Sequence, residues 1–172
     1  MNEAGRYYGK YRGTVVNNID PMQMGRIMAI VTDVSQLVPG TWALPCMPIA
    51  GLQSGAYMVP AVGSLVWIEF EQGDPDHPIW VGGFYGSVAD VPPIALTGVP
   101  ASPSIVFQTS GQNALAISDL PGPTGGIMIK SATGAVIIVN DVGITIDNGK
   151  GASIKMMTGN IMEFNGGALT VT

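Results

Sequence analysis

Pairs of apolar residues separated by one position recur along residues 104–172. Eight such pairs follow one another, and Gly, Asn, Asp, Ser or Thr fills most of the gaps between them. An apolar residue at every second position is typical of a β-strand with one buried face. Each unit is therefore predicted to be a short strand plus a turn. The pairs are Ile105/Phe107, Leu115/Ile117, Ile127/Ile129, Val136/Ile138, Ile144/Ile146, Ile154/Met156, Met162/Phe164 and Leu169/Val171.

The shortness of these units predicts an assembly. A strand of four residues spans only about 13 Å, so a single unit has to stack on its neighbours to be stable. A single-chain β-solenoid usually has repeats of about 20 residues or more, whereas these pairs start 7 to 12 residues apart. We therefore predict an intertwined trimeric β-helix or β-prism, in which three chains each supply one face and the sixteen paired residues form the core.

Two alternatives remain open at this point. Ile137 and Val139 are as apolar as Val136 and Ile138, so the register of that unit is not decided by the pattern. An ordinary antiparallel meander would also explain any single pair of strands, although eight units in series favour the stacked arrangement.

Residues 13–86 have a different pattern, of short β-prone runs joined by polar turns. The runs lie at 14–16, 25–31, 41–44, 57–59, 65–70 and 79–85. Without a helical period, such runs predict a small barrel. Residues 87–103 contain four prolines and are predicted to be an extended linker. The chain is thus divided into an N-terminal arm (1–12), a barrel (13–86), a linker (87–103) and a spike (104–172), and its fold class is all-β.

Composition also favours assembly. Charged residues make up only 11% of the chain, and the mean hydropathy is +0.35. A compact monomer of this mass would expose about 8,000 Å², which leaves about one charge per 400 Å² of surface and is too few for a well-solvated monomer.

Several classes of protein are excluded or disfavoured by the composition. The apolar runs are much shorter than the ~20 residues of a membrane span, and no secretory signal is visible at the N-terminus. A single cysteine, Cys46, excludes an internal disulfide and fits synthesis in a reducing cytoplasm. The net charge of −5 disfavours nucleic acid as the main partner.

No constellation predicts catalysis, a metal site or a cofactor. Glu69 and Glu71 are two apart on a predicted strand, so they are expected to share a solvated face and to form no cleft. Asp74, Asp76 and His77 crowd one loop but supply too few ligands for a calcium site. Cys46 has no basic neighbour in sequence that would activate its thiol as a nucleophile. The chain is therefore not expected to be an enzyme.

The N-terminal arm combines aromatic and basic residues. Tyr7, Tyr8, Tyr11 and Arg12 could form a stacking platform for nucleic acid, but residues 13–86 contain six acidic residues and one basic residue. We prefer a docking arm, since Tyr and Arg are favoured at the centres of protein interfaces.

The barrel region carries a resemblance to a known family. The relevant runs are YRGTVVNNIDP at 11–21, GRI at 25–27, WA at 42–43, PIAG at 48–51, PAVGSLVWIEF at 60–70 and GDPDHPIWVG at 73–82. They resemble the oligonucleotide/oligosaccharide-binding (OB) fold of the central spike of contractile injection machines, the phage baseplate assembly protein V and VgrG type.

This resemblance implies a structural baseplate protein. It implies a homotrimer with the OB domains as a collar beneath the tube hub and a prism that meets the target envelope. The N-terminal arm, with Tyr7, Tyr8, Tyr11 and Arg12, is then expected to dock on this hub. The location would be a phage tail baseplate or an extracellular injection particle. The alternative function is an OB-fold nucleic-acid- or polysaccharide-binding protein. The type of machine stays open.

The end of the sequence predicts a further partner. The last residues, Leu169 to Thr172, form a predicted strand, so three copies would leave unpaired strand edges and an apolar end that invites a cap. We expect a PAAR-like tip protein to contact Leu169, Val171 and Thr172.

Overall fold

The chain forms two compact units, Met1–Gly86 and Ser87–Thr172. They are seen in a computed structural model that describes residues 5–34, 41–99, 101–102 and 104–171. Regular structure in these ranges consists of β-strands and a few single-turn 3-10 helices. None of the described helices has the length and apolar character needed to cross a bilayer. The prediction of an all-β chain is confirmed.

The first unit contains a closed five-stranded barrel. Its sheet has the order β2-β1-β6-β7-β3, and Ile27 and Ala43 close it by forming a bridge between the two outer strands, with N–H···O distances of 3.2 and 2.8 Å. The strands β4 and β5 form a separate hairpin. The strands of this unit are β1 (Tyr11–Asn17), β2 (Met28–Ile30), β3 (Leu44–Pro45), β4 (Ala50–Gly51), β5 (Ser54–Gly55), β6 (Leu65–Phe70) and β7 (Pro78–Gly83).

The barrel core follows from alternation along β1 and β6. Val15, Val66 and Ile68 are almost completely buried with Ile27, and Trp80 of β7 covers them. The Trp80 indole N–H donates to the carbonyl of Gly25 at 3.1 Å, so the one polar atom of this ring is satisfied inside the barrel.

The barrel has two distinct ends, which the strand register defines. At one end, the β6–β7 turn receives the N-terminal arm, because the Tyr7 N–H donates to the carbonyl of Gly73 at 2.8 Å. At the other end, β7 finishes at Gly83 opposite Val66, near the start of β6, and the chain leaves for the second unit. We call these the arm end and the exit end.

Two local predictions for this unit are wrong. Residues 57–59 are not a strand; the excursion before them forms the β4–β5 hairpin instead. Glu69 and Glu71 do not share a strand face, because β6 ends at Phe70 and Glu71 begins a 3-10 turn in which Gln72 has a φ of 50°. Glu69 pairs with Lys10.

The second unit is built on one eight-stranded antiparallel sheet. The strands occur in chain order, and each pairs with its neighbours along the sequence. Every predicted apolar pair lies in one of these strands. The strands are β8 (Ile105–Gln108), β9 (Ala114–Ser118), β10 (Gly126–Lys130), β11 (Val136–Asn140), β12 (Gly143–Asp147), β13 (Ser153–Met157), β14 (Ile161–Phe164) and β15 (Leu169–Val171).

The segment predicted as an extended linker is partly folded. Two single-turn 3-10 helices occupy Val88–Asp90 and Pro93–Leu96, and Ser87 and Asp90 form a capping box at the first of them. Residues 100 and 103 lie outside the described residues.

A buried ion pair organises the loop that follows β1 at the exit end. The Asp20 carboxylate accepts hydrogen bonds from the backbone N–H groups of Met22, Met24 and Arg26 at 2.8–3.2 Å. It also accepts from the Arg26 side chain at 2.6 and 3.0 Å, while the guanidinium lies 5.4 Å from the centre of the Trp42 ring. The loop is thus wrapped around a single carboxylate, with no acceptor oxygen left unused.

This arrangement predicts a pH-dependent stability. The Arg26 side chain, and after it the backbone N–H groups, hold the pKa of Asp20 well below its ordinary value of 3.8. The ionised form therefore stabilises the folded state at all pH values above 3.8, and this contribution is lost as the pH falls further toward the folded-state pKa. We expect Asp20→Asn to lower the urea midpoint at neutral pH and to flatten its decline below pH 3.8.

The matched control is Asp33→Asn, which removes an exposed carboxylate. It should keep the wild-type midpoint and its acid dependence. If Asp20→Asn and the wild type lose stability in parallel during acidification, the role given to this carboxylate is wrong.

Candidate functional site in the second sheet

The second sheet has one face that consists of apolar side chains alone. Cross-strand partners in an antiparallel sheet point to the same side, so the register sorts the inward and outward positions of all eight strands. The residues of this face stack in two columns of eight. One column is Ile105, Ile117, Ile127, Val139, Ile144, Met156, Met162 and Val171; the other is Phe107, Leu115, Ile129, Ile137, Ile146, Ile154, Phe164 and Leu169. We call these sixteen residues the apolar face.

In the single chain the apolar face is open to solvent. Eleven of its sixteen side chains are exposed, and Ile105, Phe107 and Leu169 remain 57–58% accessible. Eight strands at about 4.8 Å spacing make a stripe about 34 Å long and about 13 Å wide. Apolar patches of this size, above a few hundred Å², mark sites of protein association.

The structure corrects the predicted core in one strand. Val136 and Ile138 lie on the opposite side of the sheet, since Ile137 pairs with Ile129 and Ile146, and Val139 takes the neighbouring position. The two-residue turn between β11 and β12 fixes this register. The Asn140 side-chain oxygen accepts hydrogen bonds from the N–H groups of Val142, in the turn, and Gly143, at the start of β12, at 2.9 and 3.3 Å. The other fourteen predicted core residues all belong to the apolar face.

The opposite side of the sheet has mixed polarity. Lys130, Thr145, Asp147 and Lys155 all lie on this side. Lys155 stands directly across from Glu163, which is a favourable cross-strand pair. One side of the sheet therefore consists of apolar residues alone, and the other also carries charged and polar residues.

Glycine is required at the start of β12, where the backbone closely approaches the neighbouring strand β13. Gly143 has a φ of 143°, and a Cβ there would lie 1.9 Å from the carbonyl oxygen of Met156. No other residue fits without moving the strand.

The last strand has one neighbour only among the described strands. β15 pairs with β14, and its apolar residues Leu169 and Val171 are 58% and 52% exposed. The predicted tip contacts at these two positions are therefore accessible in the single chain. Thr172 lies outside the described residues.

The predicted docking arm folds against its own barrel. Tyr7 and Tyr11 form an aromatic cluster with Phe70, with ring centres 5.6–6.0 Å apart. The Tyr8 ring lies beside Gly73 in the β6–β7 turn and is 62% exposed. Arg12 lies over the rings of Trp67 and Phe84, at 5.8 and 5.6 Å from their centres. Of the four predicted docking residues, Tyr8 and Arg12 are exposed and Tyr7 and Tyr11 are partly buried.

The loop between β6 and β7 is organised by local hydrogen bonds. The Asp74 carboxylate accepts from the Asp76 N–H at 3.0 Å and lies 3.4 Å from the His77 ring. The hydrogen bond from Asp76, supported by the His77 ring, lowers the pKa of Asp74. In the ranges that the structure describes, no group of three His, Cys, Asp or Glu residues is arranged to hold a metal ion.

Comparison with known proteins identifies both units. Residues 11–85 match the model of the type VI secretion system/phage-baseplate injector OB domain, and residues 104–170 match that of the phage baseplate V C-terminal trimerisation domain. No curated protein matches the chain.

The matched families are structural components of baseplates rather than enzymes. The second match supports a homotrimer. With an injector OB domain followed by a trimerisation domain, the chain belongs to the phage baseplate V family and is a structural, spike-type component of a tail or injection-particle baseplate.

Proposed function

We propose that this protein is the central spike of a contractile injection machine. As a homotrimer it links the tube hub to a tip protein and pierces the target envelope when the machine contracts. The observation that carries this proposal is the apolar face, because a solvent-exposed sheet with sixteen apolar side chains on one side is explained by association with other copies.

Three sheets can cover one another's apolar faces when they form the sides of a prism. Complete burial of an Ile, Leu or Phe side chain is worth about 1.5–3 kcal/mol. Since the exposed members of the apolar face are about half accessible, covering each of them contributes about 1 kcal/mol. Summed over eleven exposed side chains per chain, this term is large enough to hold a trimer together against its loss of rotational and translational freedom.

The direction of the backbone hydrogen bonds suits a needle. Each strand lies across the long axis of the sheet. The hydrogen bonds between strands, from β8 to β15, therefore run along that axis. A load along the axis then acts on a continuous series of strand pairs. The dry interior would resist bending, because close-packed cores have low compressibility.

The two ends of the barrel favour a connecting role. The arm with exposed Tyr8 lies at the arm end, and the chain leaves for the trimerisation domain at the exit end. The hub would therefore dock on Tyr8, with Tyr7 and Tyr11 fixing the arm on the barrel. Arg12 would extend this docking surface along the barrel wall, where its guanidinium lies over Trp67 and Phe84. At the far end of the sheet, Leu169 and Val171 are exposed for a PAAR-like tip. Synthesis in a bacterial cytoplasm would precede assembly into the particle.

The nucleic-acid- and polysaccharide-binding alternative is less well supported. Six acidic residues and one basic residue in 13–86 disfavour a polyanion. The aromatic pair Trp67 and Phe84, which a sugar or base could stack on, is already covered by Arg12.

Two adjacent isoleucines test the trimer interior. Ile137 lies on the apolar face and Ile138 on the opposite side. We expect Ile137→Asp to abolish the trimer, because three unpaired carboxylates would be buried together at a cost of several kcal/mol each. Size-exclusion chromatography with light scattering measures the outcome.

The matched control is Ile138→Asp, which makes the same chemical change one residue away and should leave the trimer intact. A trimer that survives Ile137→Asp, or one that dissociates only with Ile138→Asp, would show that the apolar face is not the interface.

Adjacent tyrosines test the docking arm in the same way. Tyr8→Ala should leave the melting temperature unchanged and weaken copurification with the hub protein of the same particle about tenfold or more, as expected for an exposed aromatic anchor. Tyr7→Ala should instead lower the melting temperature, since this ring packs on Phe70. Undiminished hub binding by Tyr8→Ala would overturn the docking role.

A further inference from the structure

Most exposed large apolar side chains of the barrel unit lie at its exit end. They belong to two segments, 18–26 and 41–64. A hydrogen bond joins these segments, because the Asn18 side chain donates to the carbonyl of Pro60 at 3.0 Å. The second segment contains no charged residue. We call this surface the apolar rim; its residues are Ile19, Met22, Met24, Ile49, Leu52, Tyr57, Met58 and Val62.

Part of the rim is held in place by the Asp20 ion pair. The hydrogen bonds that the carboxylate accepts from Met22 and Met24 fix the backbone of the loop while both side chains remain exposed, at 64% and 49%. Apolar side chains held outward on an ordered loop lose little conformational entropy on association. Methionine also adapts its shape to a partner.

An apolar groove on the barrel wall adjoins the rim at Met58. This groove has a volume of about 380 Å³, and its lining includes Cys46, Met47, Pro48, Met58, Val59 and Trp80. No charged side chain lines it. It is therefore suited to an aliphatic side chain and not to a charged ligand.

The β4–β5 hairpin supplies a projecting aliphatic side chain beside this groove. Leu52 lies at the tip of its two-residue turn and is 96% exposed. The hairpin is tightly closed, since a Cβ on Gly55 would lie 2.7 Å from the carbonyl oxygen of Ile49. Its flanking residues Pro48 and Met58 line the groove, so each chain carries the projection and the groove next to each other.

A second copy of this chain is the occupant that the structure favours. The trimerisation domain brings three chains together, and the barrels are attached to it through their exit ends, where the rim lies. Short tethers raise the effective concentration of neighbouring barrels to about the millimolar range. A projection and a groove on the same copy form a head-to-tail contact, and threefold rotation closes such contacts into a ring.

We propose that the Leu52 hairpin tip of each barrel inserts into the groove of the next barrel in the trimer. The contact would close the three barrels into a collar and would cover the part of the apolar rim that adjoins the groove. This inference rests on the homotrimer but is separate from the apolar face of the second sheet.

The native cysteine makes a direct test available in the full-length protein. In Leu52→Cys, the introduced thiol of one chain should lie beside Cys46 of the next chain. Mild oxidation should then give a covalent trimer on a non-reducing gel, and a reductant should reverse it. The matched control is Tyr8→Cys, which introduces a thiol at an exposed position of the arm end and should give no covalent trimer.

Mixed trimers distinguish links between chains from links within one chain. The tagged variant Leu52→Cys/Cys46→Ala is coexpressed with wild-type protein. A disulfide between the thiol introduced at position 52 and Cys46 then has to join two different chains. A cross-linked tagged–untagged product supports the proposal. A trimeric mass without this product overturns the collar contact and leaves the trimer standing, whereas a monomeric mass overturns the proposed function itself.

The reactivity of Cys46 in the unmodified protein provides a second readout. The thiol is exposed in the single chain, so the proposal expects it to be protected from maleimide in the isolated trimer and to lose that protection in Leu52→Asp. Rapid labelling of the isolated wild-type trimer would contradict the proposal and would favour a groove that another baseplate protein fills.

Discussion

The proposed packing of one wholly apolar sheet face against copies of itself is the interaction on which the rest of this protein depends. The ladder from β8 to β15 satisfies the backbone within each chain, so the sheet needs partners for its side chains only. Because Ile105, Phe107 and Leu169 are more than half exposed in one chain, solubility and assembly are coupled. The low charge content of 11% is then expected of a subunit that functions only within an assembly.

The barrel has a different proposed role, which is to hold the N-terminal arm and the exit of the chain at its opposite ends. Its core of Val15, Ile27, Val66 and Ile68 is complete within one chain, so it needs no partner in order to fold. The partner surfaces proposed at the arm end and at the exit end lie on residues outside this core. The division between a self-sufficient barrel and a partner-dependent sheet matches the two family domains.

Much of the fold could be predicted because β-alternation is visible in the sequence. The register of β11 could not, since Val136 to Val139 are all apolar and alternation gives no signal there; the two-residue turn before Gly143 was the feature that would have placed Val139 opposite Ile144. The Asp20–Arg26 pair was missed because a carboxylate in a turn looks the same in sequence whether or not a cation six residues away covers it.

The number of chains in the assembled particle tests the central claim most directly. Native mass spectrometry of the unmodified full-length protein should show a single species of three times 17.8 kDa, with no folded monomer at low concentration. A soluble, folded monomer of 17.8 kDa would contradict the account, because the sixteen residues of the apolar face would then remain stably in water.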